Sequence, residues 1–515
     1  MNETWGRRCA WLVLAAGVCA TLALQAFVPS EEVFWSGDGG LKDLMAKQFA
    51  RGSMYVDLRL TEKPWVRELW DSGLHPGVHG DYIYDIGGKY YSVFPYPFPL
   101  VSAPFYALFG VRGYYIVPTA SLWVLWLVLY LAMRRTYIDP WIIALLIASF
   151  IFAMPITLYS ATFWEHTLGL ALAFAAIAYT LRHDDCPSGR IAPALAGALL
   201  GLAVWFRPET LALVAVLLPA ALVWRRRALG VRGWTAYCVG CAAAIALFFA
   251  LNIWIYGHPL GTHAIQMTSG SHAVHGLRDT IDRAISLVRL TVRYAPIGAF
   301  MVFLLAVLAW KKKLDLRAEY VYLLAVAIAF FPLMAVMVPT DGGFQLGPRF
   351  AFIMFPPMML ACAYAWRAMP RSRGLRAVGV AVLLLTILAG AKRSALGETR
   401  WLAEQYRDRV LPAYEFAAAR EETVIAVSRV EVTLELGGLM ERKDFFAAFD
   451  DQQFAKLLDG LHEQKIDRFL FIAFGDQAAE QDSPLHHDVA KSLRIEPLGR
   501  YGAHFYCYSV ALPGA

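Results

Sequence analysis

The sequence predicts an all-α polytopic membrane domain followed by a small α/β domain. Of the 515 residues, 58% are hydrophobic and 17% are charged, whereas soluble domains carry roughly 45–50% apolar and about 25% charged residues. Apolar stretches long enough to cross a bilayer recur up to residue 391. After residue 392 charged residues become frequent and apolar runs shorten. We therefore place the membrane domain at 1–391 and the α/β domain at 392–515.

We predict about eleven transmembrane helices. The first apolar stretch is about the length of a span and longer than the core of a cleaved signal peptide, so we interpret it as an uncleaved helix. The predicted helices lie at about 9–28, 114–133, 141–158, 167–182, 191–206, 210–224, 234–256, 294–310, 319–338, 350–368 and 375–391.

The connections between these helices alternate in charge. Every second connection is rich in arginine or lysine, beginning with Arg7 and Arg8 and continuing with Arg134 and Arg135. Basic residues gather on cytoplasmic loops of membrane proteins. This pattern predicts a cytoplasmic N-terminus and an extracytoplasmic second domain. The same pattern accounts for the net charge of +6, so no nucleic-acid partner is predicted. The expected partners of the helices are membrane lipids.

Residues 93–110 are apolar but contain four prolines, at positions 95, 97, 99 and 104. Counting this segment as a span would reverse the sidedness of every later loop. We therefore predict a re-entrant or interfacial helix within a first outer loop at about 29–113, with an ordinary span as the alternative. Irregular backbone at this depth requires protein or a water-filled cavity beside it.

The region after residue 392 shows both helical and strand-like patterns. We predict helices over Glu398–Glu421 and Gln453–Gln464, a strand over Thr423–Leu436, a buried strand over Phe469–Phe474, and paired strands within Arg494–Ala511. No nucleotide-binding glycine motif occurs there.

Two acidic residues fall in predicted outer loops. Asp38 lies between glycines just after the first span, ahead of a helical pattern from Leu41 to Arg51. It is a candidate general base, or a helix cap. Glu165 lies in a short loop between Trp164 and His166. It is a candidate second catalytic acid, or a residue that favours the start of the next helix.

Basic residues in the outer loops are candidates for binding a phosphate. Arg349 begins a predicted span and could bind phosphate bidentately or reach toward lipid headgroups. Arg207 is a similar candidate, although Glu209 lies close enough in sequence to pair with it. The weaker candidates are Lys42, Lys89, His258 and His263.

The sequence contains no strong metal-binding or disulfide pattern. The pairs His75/His79 and His272/His275 have helical spacing, but Pro76 and nearby glycines disfavour a helix. We therefore assign no metal site and no certain cofactor, while a divalent cation remains open. The seven cysteines are scattered, and Cys238 and Cys241 form a single CxxC in an apolar stretch, which indicates small buried side chains.

These motifs together resemble the GT-C superfamily of integral-membrane glycosyltransferases, particularly bacterial relatives of protein O-mannosyltransferases and the lipid A aminoarabinose transferase. The likeness covers about residues 1–391 in order and topology. The stretches that carry it are 36–52, 89–100, 103–110, Arg207–Glu209, Tyr256–Thr262 and Gly342–Phe350.

The resemblance implies a sugar transferase of the bacterial inner membrane. Its donor would be a polyprenyl-phosphate-linked sugar, and its acceptor a glycan, lipid or protein. Asp38 would be the base that activates the acceptor, Glu165 the second-loop acid, and Arg349 a residue near the donor phosphate. The sequence around Glu165 does not match the family pattern closely, so its role is less well supported than that of Asp38.

Other classes of membrane protein share some of these features. A transporter or lipid flippase would place ionisable residues inside its spans, and here the spans are largely free of them. An O-antigen ligase or polymerase would rely on outer arginines and histidines without the first-loop acid. A binding or assembly subunit would use only the outer domain.

Overall fold

The computed structural model describes residues 3–27, 33–61, 63–78, 82–181, 189–268, 276–311, 318–338, 340–342 and 346–513. The helices are α1 (Glu3–Ala26), α2 (Gly37–Ala50), α3 (Pro64–Leu69), α4 (Pro97–Phe109), α5 (Ile116–Arg134), α6 (Pro140–Phe152), α7 (His166–Thr180), α8 (Ile191–Phe206), α9 (Leu211–Tyr256), α10 (Thr262–Thr268), α11 (Leu277–Tyr294), α12 (Ile297–Trp310), α13 (Ala318–Met337), α14 (Phe355–Ala368), α15 (Arg373–Ala391), α16 (Thr399–Glu404), α17 (Leu411–Ala419), α18 (Val430–Glu435), α19 (Asp451–Glu463) and α20 (Gln477–Gln481).

The strands form two sheets. One is a hairpin, in which β1 (Ile83–Asp85) pairs antiparallel with β2 (Tyr90–Ser92). The other has five strands in the order β4-β3-β5-β7-β6. Its members are β3 (Val424–Val427), β4 (Asp444–Ala447), β5 (Arg468–Phe474), β6 (Arg494–Tyr501) and β7 (Phe505–Ala511).

The chain divides into two compact units. The first, called the helical unit, contains Met1–Ala26 and Tyr115–Arg400. The second, called the mixed unit, contains Phe27–Tyr114 and Trp401–Ala515. This division differs from the predicted one at 391/392, because the first outer loop groups with the C-terminal segment. Composition changes along the chain cannot reveal that kind of long-range grouping.

The helical unit is a multi-pass membrane structure. Among the described residues, seven helices are long and apolar enough to cross a membrane, or up to nine if each of two bent pairs is one span. His166–Thr180 and Ile191–Phe206 are apolar but shorter. Every one of the eleven predicted segments contains a helix, but their number as spans stays a prediction.

Small residues bring α8 and α9 close together. A side chain at Gly197 would collide with the backbone of Tyr237, and one at Gly240 with the backbone of Ala194. Such contacts let membrane helices pack closely. Cys241 is buried in this region, which agrees with its interpretation as a small packing residue.

The proline-rich segment forms α4, which belongs to the mixed unit and packs on α2. Helical structure continues through Gly110 into α5, giving a stretch of 38 residues from Pro97 to Arg134 that is apolar enough to span. A single span needs only about 20 residues, so the stretch is too long to be one. Gly110, with a φ of 61°, marks the end of α4. The re-entrant interpretation stays a prediction.

The five-stranded sheet has a parallel half and an antiparallel half. β3 pairs parallel with β4 and β5, while β7 pairs antiparallel with β5 and β6. All residues of β3 and nearly all of β5 are buried, which is typical of strands covered on both faces. The sheet therefore carries the core of the C-terminal segment.

One predicted strand was too long. The segment Thr423–Leu436 contains β3 only as far as Val427, and then turns into the short helix α18. The backbone N–H of Ser428 donates to the carbonyl of Ile472 at the end of the pairing with β5. The alternating pattern continued past this point because α18 also buries apolar side chains.

Candidate active site

The helix that carries Asp38 begins earlier than the sequence predicted. α2 starts at Gly37, and Ser36 occupies the N-cap position. Asp38 therefore lies in the first turn, and its interpretation as a cap of a helix starting near Leu41 is wrong. Its side chain is buried, with 6% exposure. The positive end of the helix dipole favours a carboxylate at this position.

The glycines around Asp38 allow close packing of α2. A side chain at Gly37 or Gly40 would collide with Leu434 in α18, and one at Gly39 with the ring of Phe34. α2 thus sits directly against the C-terminal segment within the mixed unit. This packing alone is enough to account for the glycines of the Gly-Asp-Gly-Gly pattern, without a ligand.

Lys42 lies one turn after Asp38, on the same side of α2. Its side chain is 1% exposed. The Nζ atom lies 4.4 Å from the centroid of the Phe94 ring, and 6.0 Å from that of Phe98. A desolvated cation over aromatic faces gains cation–π stabilisation. Both rings belong to the proline-rich segment that the sequence singled out.

A buried charge network on α2 was missed by sequence reasoning. The side chains of Asp43 and Lys47 are 2.8 Å apart and essentially unexposed, and Glu441 lies 3.7 Å from Lys47. The hydroxyl of Tyr114 donates to Asp43 over 2.7 Å. The spacing of four residues between Asp43 and Lys47 was visible in the sequence, but exposed helix pairs have the same spacing.

In the helical unit, Glu165 and Arg207 form an ion pair. Glu165 is the N-cap residue of α7 but makes no capping bond with its side chain. Arg207 follows α8 directly, and its Nη1 atom donates to Glu165 Oε1 over 2.9 Å. Its other terminal nitrogen contacts Glu209. Arg207 thus joins two buried carboxylates, which confirms that Glu209 pairs with it.

Arg349 lies beside this ion-paired group. It begins a short 3-10 helical turn that leads into α14. Its guanidinium carbon lies 5.8 Å from the ring centroid of Trp164 and 5.3 Å from that of Phe350. A planar guanidinium over aromatic rings keeps a fixed orientation.

Glu209, Arg207 and Arg349 line a common small cavity. His166 and Gly169 also line it. Its volume of about 30 Å³ is sufficient for water but not for a sugar. A Cβ atom added at Gly169 would lie 3.2 Å from the Cγ atom of Arg207, so a larger residue at this position would press on the Arg207 side chain.

The two predicted histidine candidates differ in setting. His258 is exposed in the turn after α9, where its Nδ1 accepts a hydrogen bond from the N–H of Leu260 over 3.2 Å. His263 is buried, and burial lowers its pKa. Burial disfavours the charged imidazole of His263 that would attract a phosphate, and His258 does not line the small cavity, so neither histidine strengthens the site.

No metal site is evident in the described part of the chain, where no group of three or more His, Cys, Asp or Glu could hold an ion. The Nδ1 atom of His75 accepts a hydrogen bond from the backbone N–H of Gly77. The imidazole ring packs against the rings of Trp70 and Tyr90. His79, His272 and His275 lie outside the described residues.

These features define a multi-pass membrane protein with a helical unit and a mixed unit. Its fold is similar to that of ArnT, a lipid A aminoarabinose transferase, from Cupriavidus metallidurans. The structure of ArnT bound to undecaprenyl phosphate aligns with a TM-score of 0.60 at 14% identity, covering 99% of this chain and 98% of that one. The apo structure gives 0.59 at 13% identity, with coverage of 96% and 97%.

The predicted likeness to the lipid A aminoarabinose transferase is thereby confirmed at the level of fold. No protein-family model matches the chain, and no curated protein matches it. At this identity the likeness concerns the fold alone, and the roles of individual residues stay predictions.

Proposed function

We propose that this protein transfers a sugar from a polyprenyl-phosphate-linked donor to a hydroxyl group of a glycan, lipid or protein acceptor. The reaction takes place on the extracytoplasmic face of the bacterial inner membrane. The observation that carries the proposal is the full-length fold similarity to ArnT, a protein solved with undecaprenyl phosphate. The buried acid at the start of α2 supplies a group suited to the chemistry.

The proposed reaction inverts the anomeric carbon. The acceptor oxygen forms a bond to that carbon, its proton passes to Asp38, and the bond to the phosphate oxygen breaks. The polyprenyl phosphate leaves with the electron pair. A phosphate is a good leaving group, so the step needs stabilisation of negative charge rather than a general acid.

Arg349 is the preferred residue for the donor phosphate. Arg207 is bonded to Glu165 and Glu209, so much of its charge is already balanced by two carboxylates. Arg349 lines the cavity and presents a group that can bind phosphate bidentately. We assign Arg207 and Glu165 to shaping this site, and Lys42 to the electrostatic environment of Asp38.

The test measures transfer of labelled sugar by purified protein in proteoliposomes. A panel of polyprenyl-phosphate donors carrying hexoses, pentoses or aminopentoses provides the substrates. We expect Asp38→Asn to lower the transfer rate by about 10²–10⁴-fold, the usual contribution of a general base. Asp57→Asn is the control, because Asp57 lies in the same predicted loop, is paired with Arg59, and has no proposed part in the reaction.

Two results would contradict different parts of the proposal. Full transfer activity of a correctly inserted Asp38→Asn variant would exclude Asp38 as the base. Lack of transfer by the wild type from every donor in the panel would count against the function itself. That second result would favour a transporter, a flippase or a diphosphate-dependent ligase.

A further inference from the structure

Helix α11 has an exposed apolar stripe. Its residues recur with helical spacing from Leu277 to Val292, near the end of the 18-residue helix, over a length of about 24 Å. The stripe is formed by Leu277 (77% exposed), Ile281 (50%), Ile285 (51%), Val288 (44%) and Val292 (66%). A contiguous apolar surface of this length normally marks a contact with a partner or a membrane.

The opposite side of α11 is attached to the protein. Leu287 and Thr291 are buried. The Oγ atom of Ser286 donates to Asp341 over 2.5 Å, and Arg283 donates to the carbonyl of Val338. Because this face is packed and bonded, α11 cannot rotate to hide its apolar stripe.

A charged stripe runs beside the apolar one. It contains Arg278, Asp282, Arg289 and Arg293, all exposed, with a net charge of +2 from three arginines and one aspartate. An exposed arginine keeps its charged head in water or against an anionic group. An apolar face bordered by arginines is complementary to a surface of acyl chains and anionic headgroups.

The direction of α11 fits such a surface. α11 and α12 are bent by 94° at a short break, and α12 is wholly apolar in sequence. If α12 crosses the bilayer, α11 runs along its plane. The exposed charges argue against a spanning position for α11, since each costs about 2.5–3.5 kcal/mol at the bilayer centre.

We infer that α11 lies in the membrane interface, with its apolar stripe among acyl chains and its arginines against anionic lipid headgroups. The exposed face of α11 thus contacts membrane lipid, and its arginines favour anionic phospholipid. This inference does not depend on the proposed sugar transfer.

Depth measurements test the position of the helix. In a cysteine-replaced variant, single nitroxide labels are placed at positions 285 and 282, and accessibility to oxygen and to an aqueous nickel reagent is measured in vesicles. We expect the label at 285 to lie about 5–10 Å below the lipid phosphates, and the label at 282 to be reached by both reagents. A water-accessible label at 285, a label at the bilayer centre, or spin–spin coupling between two copies would each overturn the inference.

A second measurement tests the preference for anionic lipid. The fraction of spin-labelled phosphatidylglycerol that the protein immobilises is compared with that of phosphatidylcholine. We expect Arg289→Gln to reduce the preference about fivefold, while the control Arg442→Gln, which removes one exposed arginine of the mixed unit, leaves it unchanged. An unchanged preference in the first variant, or an equal loss in the control, would overturn the inference.

Discussion

Two regions of the molecule bury charged groups in different ways. On α2 the pair Asp43–Lys47 lies on a single helix and is almost fully unexposed. In the helical unit, Arg207 joins Glu165 and Glu209 from separate segments and borders a cavity, with 15% of its side chain exposed. The first arrangement is closed to solvent, whereas the second leaves charged groups at the edge of a small cavity.

The comparison bears on which charges are available for chemistry. A buried pair without access to water contributes chiefly to specificity of packing, and its loss is costly because one charge stays buried alone. A pair at a cavity can rearrange, hydrate or accept a ligand. We therefore expect that replacing the central cation lowers the free energy of unfolding by different amounts in the two regions.

The largest effect is expected for Lys47→Met. This change leaves Asp43 buried without its cation, although Tyr114 still donates to it. We expect a loss of about 3–5 kcal/mol in the free energy of unfolding, measured by denaturant titration in detergent. The double variant Asp43→Asn/Lys47→Met should recover most of this loss, and failure to recover would show that the contact of Lys47 with Glu441, rather than its pairing with Asp43, is what matters.

A smaller effect is expected for Arg207→Met. The two carboxylates that it joins are buried, but the adjoining cavity can admit water. We expect a loss of about 1–3 kcal/mol in the same titration, with Arg207→Lys intermediate. A loss as large as that of Lys47→Met would remove the distinction between the two regions.

The smallest effect on stability is expected for Arg349→Ala, whose consequence should be kinetic. Loss of a phosphate contact is expected to raise the apparent KM for the lipid donor about tenfold, or about 1.4 kcal/mol, with less change in kcat. Arg349→Lys retains the charge but lacks the planar guanidinium group. Its apparent KM should lie between those of the wild type and Arg349→Ala. An unchanged KM in both variants would argue against contact between Arg349 and the phosphate.

The sequence was informative where local pattern reflects burial. Continuous apolar stretches predicted the helices of the helical unit, and the pattern over Gln453–Gln464 predicted α19, which begins at Asp451 after the capping residue Asp450. Asp450 accepts the N–H of Gln453 at 2.8 Å. The buried strand at Phe469–Phe474 was also predicted, and it extends by one residue to Arg468.

The sequence was less informative where a feature depends on distant parts of the chain. β4 was not predicted, because four residues are too few to show a period. The start of α2 was misplaced because glycines disfavour a helix in isolation, and the close contacts of Gly37 and Gly40 with Leu434 lie far away in the sequence. The partner of Lys47 on the C-terminal segment, Glu441, could not be deduced from spacing.

The contact between the α2 glycines and Leu434 also has a consequence for biosynthesis. Gly40 leaves the ribosome roughly 390 residues before Leu434, which at about 5–20 residues per second corresponds to a delay of roughly 20–80 s. Throughout that interval the helix bearing Asp38 lacks the surface against which it packs. The proposed base would therefore reach its final setting only when translation of the chain is almost complete.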